Sequence, residues 1–183
     1  MNKPVFRGDM QRPMNQIDTE HTAVLHKMIL FDKGDPRRIQ HFLKVYMFAA
    51  LIGKMEDLSP KQQMILEIAA ILHDIGIHPA EKKYGFSNGK LQEQEGPACA
   101  RELLNEIGGY EPELIDRVCF LIAHHHTYDG VDGLDWQILL EADFLVNSFE
   151  KGLTEESIKK FRSNVFKTKS GIDMLNNQYG YDD

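Results

Sequence analysis

Residues 67–79 read EIAAILHDIGIHP. Ile68 to Leu72 are apolar without interruption, and His73 and Asp74 follow directly on them. Ser59-Pro60 opens a helix here, with a capping serine and a proline at the first helical position. Ile65, Ile68, Ala69 and Leu72 then recur at steps of three and four. A histidine near a helix C-terminus suits the macrodipole, and a following glycine ends a helix. That account covers His73 and leaves Asp74 unexplained, because a carboxylate at the negative end of a helix is unfavourable. Gly76 lets a second backbone approach closely, or lets the helix bend.

The same mismatch recurs on both sides of this stretch. Upstream, Asp35-Pro36 starts a helix that runs to about Gly53 and carries Ile39, Phe42, Leu43, Tyr46 and Ala50 on its apolar arc. His41 lines up with Val45, Phe48 and Ile52 at the edge of that arc. Downstream, residues 134–150 read LDWQILLEADFLVNSFE, and Asp143 falls on the stripe of Trp136, Leu139, Leu140 and Val146. An ionised carboxylate among apolar residues is costly unless it is paired, hydrogen-bonded or bound to a metal. Between the two, His125 continues the stripe of Leu114, Val118, Leu121 and Ile122, flanked by His124 and His126. Three consecutive histidines on a helix point in three directions, so at most two readily serve one site.

Composition bounds what these residues are for. The chain has 183 residues, of which 42% are hydrophobic, 27% charged and 9% aromatic, the profile of one globular domain. Its formal charge is −7, which argues against a general nucleic-acid or anionic-membrane binder. Two distant cysteines, Cys99 and Cys119, exclude a disulfide framework or a thiolate zinc site. No stretch approaches the roughly 20 apolar residues of a membrane span, so a cytoplasmic protein is expected. Residues 1–16 read as a loose N-terminal arm and 17–183 as the domain. Helices are expected over about 17–31, 36–53, 60–72, 92–107, 112–126 and 134–149, with supporting helices over 150–178. Residues 81–90, EKKYGFSNGK, read as a loop with three lysines. No segment alternates as a strand does, so the fold class is all-α, a single-domain helical bundle of about seven helices.

Each misplaced polar residue has an ordinary explanation alone: a satisfied core histidine, a helix cap, a buried ion pair. Together, two isolated histidines and two carboxylates on inward faces of separate helices call for one explanation. Imidazole nitrogen with carboxylate oxygen and no thiolate suits iron, manganese, cobalt, nickel or zinc. In this order His41, His73-Asp74 and Asp143 reproduce the H…HD…D signature, and the chain resembles the HD-domain metal-dependent phosphohydrolases from about Arg37 to Asn147. RIQHFLKVY is similar to the family's first helix, ILHDIG to its name-giving motif and EADFLVN to its closing aspartate helix. The resemblance implies an all-α fold in which His41, His73, Asp74 and Asp143 hold one divalent metal, with Asp74 also orienting the attacking water. It implies hydrolysis of phosphate monoesters or diesters, mostly of small nucleotides.

The HHHTYDG segment is similar to the extra histidines of two-metal members, which makes His124, His125 and Glu95 candidate ligands for a second metal or for substrate. Here the pattern departs from the family, because the helix LQEQEGPACARELL has no histidine. Ile77 stands where the cyclic-dinucleotide branch has a lysine, and no G-Y-P run follows HHHTYDG, which argues against that activity. Lys82, Lys83 and Lys90 are the candidate phosphate contacts, with Tyr84 and Tyr128 as candidate base-stacking residues and Arg117 less favourably placed. The expected partner is a small anionic phosphate compound, with no nucleic-acid polymer and no membrane, and with a homo-oligomer allowed. Alternatives on the same fold are a non-catalytic ligand-sensing or interaction module and a di-iron oxygenase.

Overall fold

The structure, a computed structural model, describes residues 19–181 and forms nine helices among them, with no strand. They are α1 (Thr19–Phe31), α2 (Pro36–Met55), α3 (Pro60–Leu72), α4 (Ile77–Tyr84), α5 (Gly89–Ile107), α6 (Pro112–Ile122), α7 (Leu134–Glu150), α8 (Glu155–Val165) and α9 (Lys169–Tyr179). The all-α class is as expected. The arm assigned to residues 1–16 lies outside the described residues.

Several helices start where their capping residues place them. The Asp35 carboxylate accepts a hydrogen bond from the Arg38 amide at 3.0 Å, with Pro36 at the first helical position of α2. Ser59 and Gln62 form a reciprocal capping box at the start of α3. Asn88 caps α5 through the Leu91 amide at 3.0 Å, three residues earlier than the expected start.

Two segments depart from the sequence expectation. Residues 77–84 form a helix of their own, so EKKY is helical and there are more helices than the seven expected. Ala80 is its one buried residue, and so short a polar turn carries no apolar period to read. The helix expected over 112–126 stops at Ile122, and the chain then turns through the three histidines. The Thr127 amide donates to the His124 carbonyl at 2.9 Å in that turn.

α3 runs through the centre, against α1, α2, α6 and α7, and every residue from Ile65 to Leu72 is buried. The uninterrupted apolar run is what a helix covered on all sides requires. It delivers His73 and Asp74 to the middle of the molecule. Immediately beyond, the turn at Gly76 touches α5. A Cβ on Gly76 would stand 2.5 Å from the Gln92 carbonyl oxygen and 2.8 Å from the Gly96 nitrogen. Both neighbours are backbone, so only glycine admits this approach of α5 to the His73-Asp74 turn.

Candidate metal centre

His41 from α2, His73 and Asp74 from the end of α3, and Asp143 from α7 converge at one place. His41 Nε2 lies 3.2 Å from His73 Nε2 and 3.2 Å from Asp143 Oδ1. His73 Nε2 lies 3.6 Å from the same Asp143 oxygen. Asp74 Oδ2 stands 3.6 Å from His41 Nε2 and 3.5 Å from His73 Nε2. Three of these four residues are buried, with His73 at 0% exposure and Asp143 at 6%. Asp74 is the more open one and faces the cavity described below.

Hydrogen bonds on the far side of each ring settle what the near side offers. His73 Nδ1 is 2.8 Å from the Ala70 carbonyl, and His125 Nδ1 is 2.7 Å from the Ile122 carbonyl. His41 Nδ1 is 2.8 Å from Glu150 Oε2, and Glu150 is also paired with Lys44. A carbonyl or carboxylate only accepts, so each Nδ1 carries hydrogen, and in the neutral ring the lone pair sits on Nε2. Three imidazole lone pairs thus point at two carboxylates. His125 Nε2 is buried and has no hydrogen-bond partner among the described residues. Asp74 Oδ1 faces it from 3.6 Å, beyond hydrogen-bond distance. An orphaned buried nitrogen and two facing imidazole nitrogens fit a divalent cation between them.

The donors form two groups that meet at Asp74. One is His41, His73 and Asp143; the other is Asp74, His125 and His126. The second differs from the sequence expectation. His126, not His124, joins His125, because the chain leaves the helix at Ala123 and the two rings lie side by side with centroids 4.0 Å apart. His124 turns away to lie 4.2 Å from the Phe120 ring and 5.2 Å from Trp136, whose indole N–H donates to the His124 carbonyl. Glu95 is also absent from the group. It accepts from Lys83 at 2.9 Å and from Tyr84 at 3.0 Å, about one turn along α5 from the residue that faces the site. That residue is Gln92, whose Oε1 lies 2.6 Å from His126 Nε2. Gly89 faces the same ring, since a Cβ there would stand 2.7 Å from it.

A cavity of about 570 Å³ opens in front of Asp74, Asp143 and His126. Lys82, Lys83 and Lys90 do not line it, because α4 and the start of α5 turn all three to the exposed surface. The cations that line it are Arg37, Arg38 and Lys151. Helical spacing carried that signal: Arg37 is one turn before His41, and Asn147 and Lys151 are one and two turns past Asp143. Tyr84 and Tyr128 are likewise outside the lining, with Tyr128 against Phe161. Arg117 is held away by Asp132 and Asp135.

A family model for the HD domain matches residues 38–157. The chain belongs to the HD domain family. A crystal structure of a predicted HD superfamily hydrolase from an uncultured Thermotogales bacterium is similar to it, at 25% identity and a TM-score of 0.62, covering 87% of this chain and 84% of that one. No curated protein matches the chain.

Electrostatics of this HD domain favour charged carboxylates and a proton that a metal would have to displace. Burial opposes charge on His41, but Asp143, Asp74 and Glu150 outweigh it and lift the ring to about 9. His73 is raised in the same way, against burial, by Asp74 and Asp143. Burial works against ionisation of Asp143 and Asp74 too, yet the histidines hold both below the usual carboxylate range. Burial with His125 alongside pulls His126 down to about 4, so it is neutral at pH 7. In the metal-free protein His41 therefore keeps a proton up to about pH 9, where a metal needs its lone pair.

The sign follows. Protonated His41 stabilises the metal-free fold below its unfolded pKa of about 6.5, and this contribution is lost as pH rises through about 9. Metal affinity runs the other way and strengthens over that window. Titrating metal into the apoprotein at pH 7.5 in buffers of different ionisation enthalpy is expected to show release of about one proton per metal. Equal heats in all buffers would show that His41 gives up no proton when metal binds.

Proposed function

We propose that this HD domain is a metal-dependent hydrolase of small phosphate esters. The observation that carries the reading is the set of three histidines, each with Nδ1 committed, whose Nε2 atoms face Asp74 and Asp143 on the floor of a polar cavity. The likeness to the Thermotogales protein, a predicted hydrolase, supports the same reaction type. His41, His73, Asp143 and the near oxygen of Asp74 would hold one divalent transition metal. Asp74 Oδ1, His125 Nε2 and His126 would hold a second, more weakly, because Gln92 already engages His126. A metal bound there would polarise a phosphoryl oxygen and make a water more acidic.

The chain's own residues supply the rest. Glu150 fixes the His41 ring, and the Asn147 amide donates to Asp143 Oδ1 at 2.6 Å, which fixes that carboxylate. Asp74 alone combines contact with both histidine groups and a face open to the cavity. Held as a carboxylate, it orients a water by accepting its hydrogen bond rather than by storing a proton.

The test is metal content per purified chain, with phosphate release from an ester panel after loading with manganese, cobalt or iron. One or two metals with release is the expected result, and His125→Ala lowering two to one would place the second metal. No metal under any loading condition would overturn the reading. Bound iron with oxygen consumption and no phosphate release would replace it with an oxygenase.

A further inference from the structure

The walls of the cavity sort by chemistry. Arg38 is committed: its guanidinium donates to Glu81 at 2.6 Å, lies against His78 at 2.9 Å and sits beside Asp35. Arg37 and Lys151 also line the cavity, are exposed, and have no ion-pair partner among the described residues. In a chain of net charge −7, two cations without a described ion-pair partner on the wall of a carboxylate-floored cavity leave positive charge for an incoming anion.

Around them lie short polar groups with unused capacity. Asn88 spends its side-chain oxygen on the Leu91 amide, which leaves its NH₂. Ser87 accepts from Gln92 at 3.3 Å, which leaves its O–H to donate. Asn147 spends its NH₂ on Asp143, which leaves its carbonyl. Among the described residues Ile77 is the only aliphatic side chain on the wall, and no Phe, Tyr or Trp lines it. A nucleobase would find only the imidazoles of His41 and His126, both engaged by the site's own residues, whereas a carrier rich in hydroxyls would find a donor or acceptor on several sides.

We propose that the cavity takes a small phosphomonoester on a hydroxyl-rich carrier in preference to a nucleotide, with Arg37 and Lys151 gripping its dianionic phosphate. The inference rests on the hydrolase reading above. In the reaction a water oxygen bonds to phosphorus, the phosphorus–oxygen ester bond breaks, and the alcohol leaves with a proton as inorganic phosphate forms. Arg37 and Lys151 contact the phosphate and leave the metal ligands alone.

The experiment compares the metal-loaded full chain on glycerol 3-phosphate, ribose 5-phosphate and adenosine 5′-monophosphate. The two small esters are expected to exceed the nucleotide in kcat/KM by about tenfold, because burying its base gives up hydrogen bonds to water with no stacking contact to offset them. Arg37→Ala and Lys151→Ala are each expected to raise KM for ribose 5-phosphate about tenfold, the loss of a charge-assisted hydrogen bond, with metal content unchanged. Both positions are exposed, so both variants are expected to fold. A preference for the nucleotide, or unchanged KM in both variants, would overturn this inference and leave the hydrolase standing. No phosphate from any ester would overturn the hydrolase reading itself.

Discussion

Asp143→Ala is expected to strip metal from the purified protein and lower its melting temperature. The Asp143 Oδ1 atom stands 3.2 Å from His41 Nε2 and 3.6 Å from His73 Nε2, and it also accepts from the Asn147 amide at 2.6 Å. Removing it leaves two imidazole nitrogens 3.2 Å apart with one fewer anion to balance whatever cation lies between them. A ligand present at a thousandfold its dissociation constant stabilises a fold by about 4 kcal/mol, on the order of 10 °C for a domain of this size. The wild-type protein should lose about that much on chelation. The variant should start near the lower value and respond little to chelator. Full metal occupancy in Asp143→Ala would refute the assigned role.

Glu141→Ala is expected to cost about 3–5 kcal/mol of stability while leaving the metal content of the folded protein intact. Glu141 is fully buried on α7, two residues before Asp143, and so points to another face of the helix. Burial raises its pKa overall, against four donors that favour the charged form. The Lys167 and Thr168 amides donate to Oε1 at 2.7 and 3.0 Å, Gln137 donates to the same oxygen at 2.7 Å, and the Thr168 hydroxyl donates to Oε2. The carboxylate thus fastens the turn between α8 and α9 to α7. Alanine would leave two backbone N–H groups buried and unpaired. Urea unfolding reads the loss as a lower midpoint, and Glu141→Gln, which retains one acceptor oxygen, should lose less. A midpoint within about 0.5 kcal/mol of wild type would show that water replaces the carboxylate at no cost.

The two variants mark where sequence reading worked and where it stopped. Asp143 was visible because helical periodicity placed a carboxylate on an apolar stripe, a conflict that needs only one helix to state. Glu141 raises no such conflict, since its burial depends on a turn 26 residues away covering it. The same limit explains the errors around the site. His124 and His126 exchanged roles because the helix ends at Ile122, and a tight turn aims successive side chains differently from a helix. Lys82, Lys83 and Lys90 followed the HD motif closely in sequence, yet a short helix without an apolar period turned the first two outward and the start of α5 turned the third. Arg37 and Lys151 were within reach of the three-and-four rule, as residues one turn from His41 and two turns from Asp143.

The sequence by itself determined the helical class and marked His41 and Asp143 as polar groups on apolar helix faces. Those follow from the period of each helix and from the cost of putting a polar group on its apolar face, both of which are local. Tertiary structure decided which donors share a site, which histidine of three turns inward, which cations face the cavity and what fills the place of Glu95. These depend on how far each helix extends and on which elements meet, as at Gly76, where two backbones come so close that no side chain fits between them. Such distances belong to pairs of segments, and no single segment encodes them.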